Sequence, residues 1–260
     1  KNRAIMQIYF LGTGTSQGIP VIGSSHSVCL SNDAKDKRLR VSVWLTWDEN
    51  SIVIDCGPDF RQQMLVSGCQ KLDALLFTHE HADHTAGLDD IRPFYFKQSK
   101  PIPVYGHRDV LENLAVRFDY IFKTENKYPG APSVEPIEVI NNIPFLLGGK
   151  EIIPINVNHG GTQVFGYRVD DFVYLTDVKS IDDVEVEKVK NAKVLVINCL
   201  REEEHHSHFN LQDALDFIHL VQPTKAYLTH ISHLLGFHEE VQKRLPANVF
   251  LAYDNLKITI

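Results

Sequence analysis

The run Thr78-His79-Glu80-His81-Ala82-Asp83-His84 stands directly after an apolar segment that predicts a β-strand over 73–78. Its H-x-H-x-D-H pattern supplies three imidazoles and one carboxylate. Imidazole suits zinc, iron and manganese, and a mixed His/Asp set suits a hydrolytic metal pair. In an extended segment His79 and His81 point the same way, whereas Asp83 and His84 follow as the chain turns into a helix. The pattern therefore predicts two neighbouring metal ions rather than a solvated polar turn.

Single histidine and aspartate residues end three later predicted strands. His159 ends a strand over 152–158, Asp177 ends one over 173–176, and His230 ends one over 226–229. Any one of them alone is more often a capping or core residue. Together they supply the further ligands that a two-metal site needs, and loops at strand ends are where layered folds place their chemistry.

Strands and helices are mixed in both halves of the chain. The hydrophobic pattern predicts strands over 5–11, 40–46, 51–55, 73–78, 151–157, 164–169, 172–176, 194–199 and 226–229. It predicts helices over 58–66, 88–96, 110–122, 182–190, 211–220 and 239–245, and a loop over 126–142. No repeat or linker divides the sequence, so we expect one domain over 1–260, an α/β or α+β fold in which helices cover sheets.

Composition excludes several classes of protein. The 260 residues are 43% hydrophobic and 23% charged, as in ordinary globular domains, and their apolar runs are far shorter than a membrane helix needs. The N-terminal residues lack the pattern of a signal peptide, and the four cysteines are dispersed, so we expect a cytoplasmic protein without a disulfide framework. A net charge of −7 disfavours nucleic acid as the main partner, although a locally positive cleft stays open.

These residues resemble the metallo-β-lactamase-fold hydrolases. The matching residues are Val53-Ile54-Asp55-Cys56-Gly57, the run at 79–84, Gly87-Leu88, His159, Asp177 and His230. The resemblance implies a four-layer αββα sandwich with a dinuclear site at one edge. It assigns one ion to His79, His81 and His159, and the second to Asp83, His84 and His230, with Asp177 bridging both. The implied cofactors are two divalent ions, zinc or manganese, with iron also compatible.

Further segments narrow the resemblance to the phosphodiesterase branch of these hydrolases, which includes tRNase Z and the phosphoribosyl cyclic phosphate phosphodiesterases. The segments are Phe10-Leu11-Gly12-Thr13-Gly14-Thr15-Ser16-Gln17-Gly18-Ile19-Pro20, Thr229-His230-Ile231-Ser232 and His208-Phe209-Asn210-Leu211. The branch places a histidine beside the metals as general acid, and this role falls to His208. Asp83 is grouped with it as catalytic, since loss of Asp83 is expected to remove a metal and nearly all turnover.

A structural zinc site is the point at which the sequence departs from the cyclic phosphodiesterases. That subfamily has a Cys-x-Cys-x-x-Cys loop and a histidine three residues after the last catalytic ligand. This chain has Ser24, His26 and Cys29 in the loop, and His233. Because a hydroxyl is a poor zinc ligand and imidazole a good one, a zinc held by His26, Cys29, His233 and water and an empty site both stay open.

The resemblance implies that a hydroxide bridging the two metals hydrolyses a small phosphodiester, in the first place a cyclic phosphate. The segment 123–149 lacks the basic, Gly-rich character of the tRNase Z arm, which favours a small substrate. Three alternatives stay open, namely tRNA 3′-end processing, thioester or lactone hydrolysis, and a scaffold without activity. Relatives are often dimers, so a homodimer is also open.

Two weaker clusters stand outside the predicted site. The basic stretch Lys37-Arg38-Leu39-Arg40 lies beside the Gly-rich loop in the sequence and is either a surface feature or an aid in attracting an anion. His205 and His206 follow three glutamates and fit a charged, solvated face.

Overall fold

Two seven-stranded β-sheets form the centre of the computed structural model, which describes residues 5–260. The strands of the first sheet are β1 (Gln7–Gly12), β2 (Ser42–Trp47), β3 (Asn50–Ile54), β4 (Ala74–Leu76), β5 (Ile102–Gly106), β6 (Val134–Glu138) and β14 (Lys257–Thr259). Their order is β14-β1-β2-β3-β4-β5-β6. Pairing is antiparallel from β14 to β3 and parallel from β3 to β6.

The second sheet repeats this plan. Its strands are β7 (Phe145–Leu147), β8 (Lys150–His159), β9 (Thr162–Val169), β10 (Phe172–Tyr174), β11 (Val194–Asn198), β12 (Lys225–Thr229) and β13 (Val249–Leu251). They are ordered β13-β12-β11-β10-β9-β8-β7, antiparallel from β7 to β10 and parallel from β10 to β13. The parallel halves give each sheet an edge at which several strands end together.

Helices pack on the outer face of each sheet. Those of the first half of the chain are α1 (Phe60–Ser67), α2 (Ala82–Thr85), α3 (Arg92–Gln98), α4 (Arg108–Arg117) and α5 (Asp119–Phe122). Those of the second half are α6 (Asp183–Val189), α7 (Leu211–Val221) and α8 (His238–Gln242). In the described part of the chain, no helix combines the length and apolar character that a membrane crossing requires.

Three apolar layers hold the elements together. Because side chains alternate between the faces of a strand, Leu76 packs between the two sheets, whereas its neighbour Leu75 packs under the first helical layer. In β11, Val196 and Leu195 divide in the same way between the central layer and the second helical layer. Strands buried on both faces have nearly continuous apolar sequences. The result is a helix–sheet–sheet–helix stack, which confirms the predicted four-layer αββα sandwich.

The prediction of a loop over 126–142 is wrong, because Val134–Glu138 forms β6. Pro136 weakened the strand signal, since proline cannot donate to a sheet ladder. It is accommodated here because β6 is the last strand of its sheet and pairs only with β5 among the described strands. The predicted helix over 110–122 is also two helices, since Phe118 between α4 and α5 has φ −123° and ψ 46°.

Two further expectations concern the chain as a whole. All four cysteines are buried and free of disulfides, as the dispersed pattern indicated. A single domain over 1–260 stays a prediction, as does the lack of a signal peptide, because residues 1–4 lie outside the described residues.

Candidate metal centre

The seven predicted metal ligands meet at the edge where β4, β8, β10 and β12 end. The first group consists of His79, His81, His159 and Asp177, whose ligand atoms all lie within 4.8 Å of one another. Nε2 of His79 is 2.9 Å from Nδ1 of His81 and 3.7 Å from Oδ2 of Asp177. Nε2 of His159 is 3.6 Å from the same oxygen. Two imidazole nitrogens therefore flank one carboxylate oxygen, and the third, on His81, lies beside His79 in the same group.

The second group consists of Asp83, His84 and His230, which also lie within 4.8 Å of one another. Nε2 of His84 and Nε2 of His230 are 3.2 and 3.6 Å from Oδ2 of Asp83. They are 3.3 and 3.2 Å from Oδ1 of Asp177. Each oxygen of Asp177 thus faces one group, which is the position of a bridging carboxylate.

Partners on the far side of each ring fix the orientation of three histidines. The Nδ1–H of His159 donates to the carbonyl of Ser207 at 2.7 Å, since a carbonyl only accepts, and this leaves the Nε2 lone pair directed at the site. Nδ1 of His84 lies 2.6 Å from Oδ2 of Asp55. Nδ1 of His79 lies 3.0 Å from Oγ1 of Thr78, whose own hydroxyl donates to Asp55 at 2.8 Å.

Asp55 is a site residue whose role sequence reasoning missed. It was quoted only as part of a matching segment, yet it is fully buried and also accepts a 2.8 Å hydrogen bond from the backbone N–H of Thr78. Burial raises the pKa of Asp55, although the neighbouring His84 opposes this. The usable signal was a carboxylate at the end of the apolar strand β3, because a buried carboxylate needs donors.

The backbone is strained where three of these side chains enter the site. Asp55, Asp177 and His230 have φ values of 64°, 59° and 55°. A residue other than glycine in this left-handed region costs about 1–3 kcal/mol, and such residues cluster at functional sites. Each follows the end of a strand, so the unusual φ turns the side chain from the sheet toward the common edge.

Glycines allow the segments around the second group to approach closely. A Cβ on Gly57 would lie 2.1 Å from the carbonyl oxygen of Asp83, and only glycine avoids this clash. The Gly-rich loop after β1 supports His230 from the other side, because Gly14 forms a β-bridge with Ile231 and Thr15 N–H donates to the Ile231 carbonyl at 3.0 Å. In this structure the Gly-rich loop acts as a turn that holds a ligand-bearing segment.

The donor set fits divalent metal ions. Nε2 of His84 and Nε2 of His230 are buried without a hydrogen-bond partner in the described chain, which is costly unless an ion binds them. Burial opposes the charge on Asp177, but the imidazoles of His230 and His84 hold its pKa well below the usual range. A carboxylate that stays ionised beside imidazoles with free lone pairs is a suitable set for zinc or manganese. The assignment of individual ligands stays a prediction.

His208 lies against both groups. Its ring centroid is 4.5 Å from that of His159 and 4.8 Å from that of His230, and Nδ1 is 4.0 Å from Oδ2 of Asp177. The loop that carries it ends at Asn210, which begins α7 with a reciprocal capping box. Burial and the neighbouring His230 lower the pKa of His208 to about 2, so an imidazolium there needs a bound anion beside it. The role of general acid stays a prediction.

Of the two alternatives left open for a third site, the structure favours the one without zinc. The rings of His26 and His233 meet edge to face with centroids 4.9 Å apart. Cys29 instead packs in an apolar cluster with Ile19 and Val28 and accepts from a backbone N–H at 3.5 Å. Among residues 5–260, the ligand atoms of His26, Cys29 and His233 do not form a group within 4.8 Å as the two groups at the strand ends do.

A family model described as Beta-lactamase superfamily domain matches residues 50–231. A solved structure described as a diphosphatase from the PhnP family is 38% identical, with a TM-score of 0.92, over 98% of this chain and 97% of that chain. Sequence and fold therefore agree over almost the whole of both chains.

Two curated relatives are longer proteins. The octanoyltransferase of Porphyromonas gingivalis is 38% identical over 98% of this chain, but the match covers 52% of that protein. Ribonuclease Z of Staphylococcus carnosus is 25% identical over 74% of this chain and 61% of its own length. The chain thus spans about half to three-fifths of the curated relatives that it matches.

Proposed function

The chain belongs to the metallo-β-lactamase superfamily of metal-dependent hydrolases, and we propose that it cleaves a small phosphodiester, in the first place a cyclic phosphate. The observation that carries the proposal is the placement of the Asp177 carboxylate between the two ligand groups. Its Oδ2 faces the first group and its Oδ1 faces the second. Two ions about 3.5–4 Å apart are the usual arrangement for displacement at phosphorus.

The residues have separate tasks in this proposal. The two groups hold two divalent ions, zinc or manganese with iron also compatible, which supply Lewis acidity and neutralise phosphoryl charge. Asp55 and Ser207 keep the Nε2 atoms of His84 and His159 turned toward the site. His208, beside both groups, donates to the leaving oxygen or a phosphoryl oxygen, a contribution of about 10²–10⁴-fold for a general acid.

Similarity to a PhnP-family diphosphatase supports displacement at phosphorus and favours a second candidate, hydrolysis of a diphosphate. The segment 123–149, whose basic residues are Lys123 and Lys127, supports a small substrate rather than tRNA. Nζ of Lys127 donates hydrogen bonds to the carbonyls of Ile121 and Pro132 and to the hydroxyl of Ser133. Lys123 forms an ion pair with Asp119. These lysines are therefore already engaged within the protein and are poorly placed to hold a phosphate backbone.

Octanoyl transfer is the activity named for a longer relative, about half of which corresponds to this chain. Acyl transfer through a covalent intermediate needs an activated nucleophile such as a thiolate. Within the chain all four cysteines are buried, and burial raises the pKa of Cys56, Cys69 and Cys199. The structure therefore favours hydrolysis over acyl transfer. None of its contacts favours a thioester or a lactone over a phosphodiester as the substrate.

The test is turnover of ribose 1,2-cyclic phosphate by manganese-loaded protein, with Asp83→Ala as the blank. Opening of the ring by the wild type, absent from the variant, is the expected result. If protein shown to hold two ions opens neither this ring nor a linear diester nor a diphosphate, the proposal is wrong. A parallel assay with a tRNA precursor and a thioester decides among the alternative substrates.

A further inference from the structure

Arg40 lies at the same edge of the sandwich as the metal centre. It precedes β2, which runs antiparallel to β3, so it stands opposite the end of β3 where the chain continues to Gly57. Cβ of Arg40 is 3.7 Å from the point that a Cβ on Gly57 would occupy, and that same point abuts the carbonyl of Asp83. Arg40 therefore borders a segment that carries a ligand of the second group.

The Gly-rich loop connects Arg40 to a second ligand. Gly14 forms β-bridges with both Arg40 and Ile231, the residue after His230. The side chain of Arg40 then runs along the loop, with Nη1 3.5 Å from the point that a Cβ on Gly18 would occupy. The backbone of Arg40 is thus held next to the segments that carry Asp83 and His230.

Most of the hydrogen-bonding capacity of this guanidinium is unused. Asp59 Oδ2 accepts from the backbone N–H of Arg40 at 2.8 Å and forms an ion pair with the guanidinium, 3.1 Å from Nε, although the buried Nε has no hydrogen-bond partner among residues 5–260. Within residues 5–260, neither Nη nitrogen of Arg40 has a hydrogen-bond partner, and the side chain is 26% exposed. An arginine that forms an ion pair at one side of its guanidinium and has both Nη groups free presents donors in a fork that matches phosphate oxygens.

Two other arginines already use their Nη donors within the protein. Arg38, two residues before Arg40, is 4% exposed, and its Nη groups contact Thr13, the Ala252 carbonyl and His238. Arg117 donates to the Glu80 carbonyl and thereby holds the turn of the H-x-H run. The basic stretch at 37–40 therefore contains one buried structural arginine and one arginine with free donors, whose Cβ borders the Gly57 segment against Asp83.

We propose that Arg40 binds a second phosphoryl group of the substrate, adjacent to the one at the metal centre, and so favours compounds with two linked phosphoryl groups. This inference rests on the proposed function, because it assumes that a phosphoryl group occupies the metal centre. A local cation is valuable here, since the protein carries a net charge of −7 that repels a polyanion.

The test compares the binding of inorganic phosphate and inorganic pyrophosphate to manganese-loaded protein by calorimetry, at a fixed free manganese concentration. Arg40→Met is expected to weaken pyrophosphate at least tenfold and phosphate less than twofold. Arg40→Lys keeps the charge but loses the fork, so an intermediate loss of pyrophosphate affinity is expected. Lys37→Met is the matched control, because it removes the same charge from an exposed neighbour and is expected to change neither affinity.

Each outcome has one meaning. If the wild type binds both anions and neither Arg40 variant weakens pyrophosphate selectively, the role of Arg40 is wrong while the proposed function stands. Equal weakening by Lys37→Met would show a general charge effect and would also overturn it. If the wild type opens the cyclic phosphate ring but binds pyrophosphate no more tightly than phosphate, this inference is wrong and the proposed function stands, whereas absence of turnover overturns the proposed function. Should Arg40→Met not fold, Arg40→Lys decides the question alone.

Discussion

Replacing Asp55 by asparagine should weaken binding of the metal of the second group while the fold is kept. In the wild type, Asp55 accepts from Thr78 N–H, Thr78 Oγ1–H and His84 Nδ1–H at 2.8, 2.8 and 2.6 Å. An asparagine in place of Asp55 can accept through its oxygen from the Thr78 N–H, but its NH₂ group then faces Thr78 Oγ1, which can accept, and Nδ1 of His84. Two donors cannot face each other, so the His84 proton moves to Nε2.

The expected magnitude follows from this change of tautomer. Nε2 of His84 is one of the ligand atoms of the second group, 3.2 Å from Asp83 Oδ2, and a protonated Nε2 cannot bind a metal. Losing the partner of a metal-binding histidine typically costs about 10–100-fold in metal affinity. The first group keeps its ligands, because the Nε2 atoms of His79 and His159 are oriented by Thr78 and Ser207.

The assay is a chelator competition that resolves two binding steps for manganese or zinc. Asp55→Asn should weaken one step by about 10–100-fold and change the other much less. Asp73→Asn is the matched control, since Asp73 accepts from Ser51 N–H and pairs with Lys71 away from the site. Unchanged binding of both ions in Asp55→Asn would refute the tautomer argument, as would an equal loss in the control.

Three further predictions concern separate features. Gly57→Ala places a Cβ 2.1 Å from the Asp83 carbonyl oxygen, so it should weaken binding of the ion at the second group and lower the melting temperature. Gly106→Ala is the control, because the atoms nearest to its Cβ are at 3.6 Å and neither quantity should change. Equal effects of the two variants would contradict the packing argument. His208→Ala should keep both ions, measured by metal analysis, while turnover falls about 10²–10⁴-fold, and full activity would exclude His208 from the chemistry. Burial raises the pKa of Asp254 to about 6 from an ordinary value of 3.8, so the folded state binds the proton more tightly than the unfolded state. The wild type should therefore lose stability relative to Asp254→Asn, by up to about 3 kcal/mol, as pH rises from about 4 to 6 in thermal unfolding, and parallel pH profiles would contradict this.

The sequence was sufficient to identify the ligand-bearing segments because two simple rules apply to them. The run at 79–84 carries its information locally, and His159, Asp177 and His230 each end a strand. The strands β8, β10 and β12 run in the same direction within the second sheet, so their ends lie at a common edge and residues far apart in sequence meet there. The layered fold follows from apolar strands such as β4 and β11, which have no polar face to expose.

Other features depend on distances that no pattern contains. Cys29 and His233 have suitable chemistry for zinc, yet the thiol is turned into an apolar cluster. The orienting role of Asp55 depends on its 2.6 Å contact with His84, a residue 29 positions later. Arg38 and Arg40 are indistinguishable as neighbouring basic residues, and only the structure shows that one is buried and the other has free donors.

Anomalous diffraction from crystals of the manganese-loaded protein tests the two-metal account most directly. The account predicts two peaks about 3.5–4 Å apart, one on each side of the Asp177 carboxylate, with no third peak between His26 and His233. A single peak, or two peaks that do not share Asp177, would contradict it.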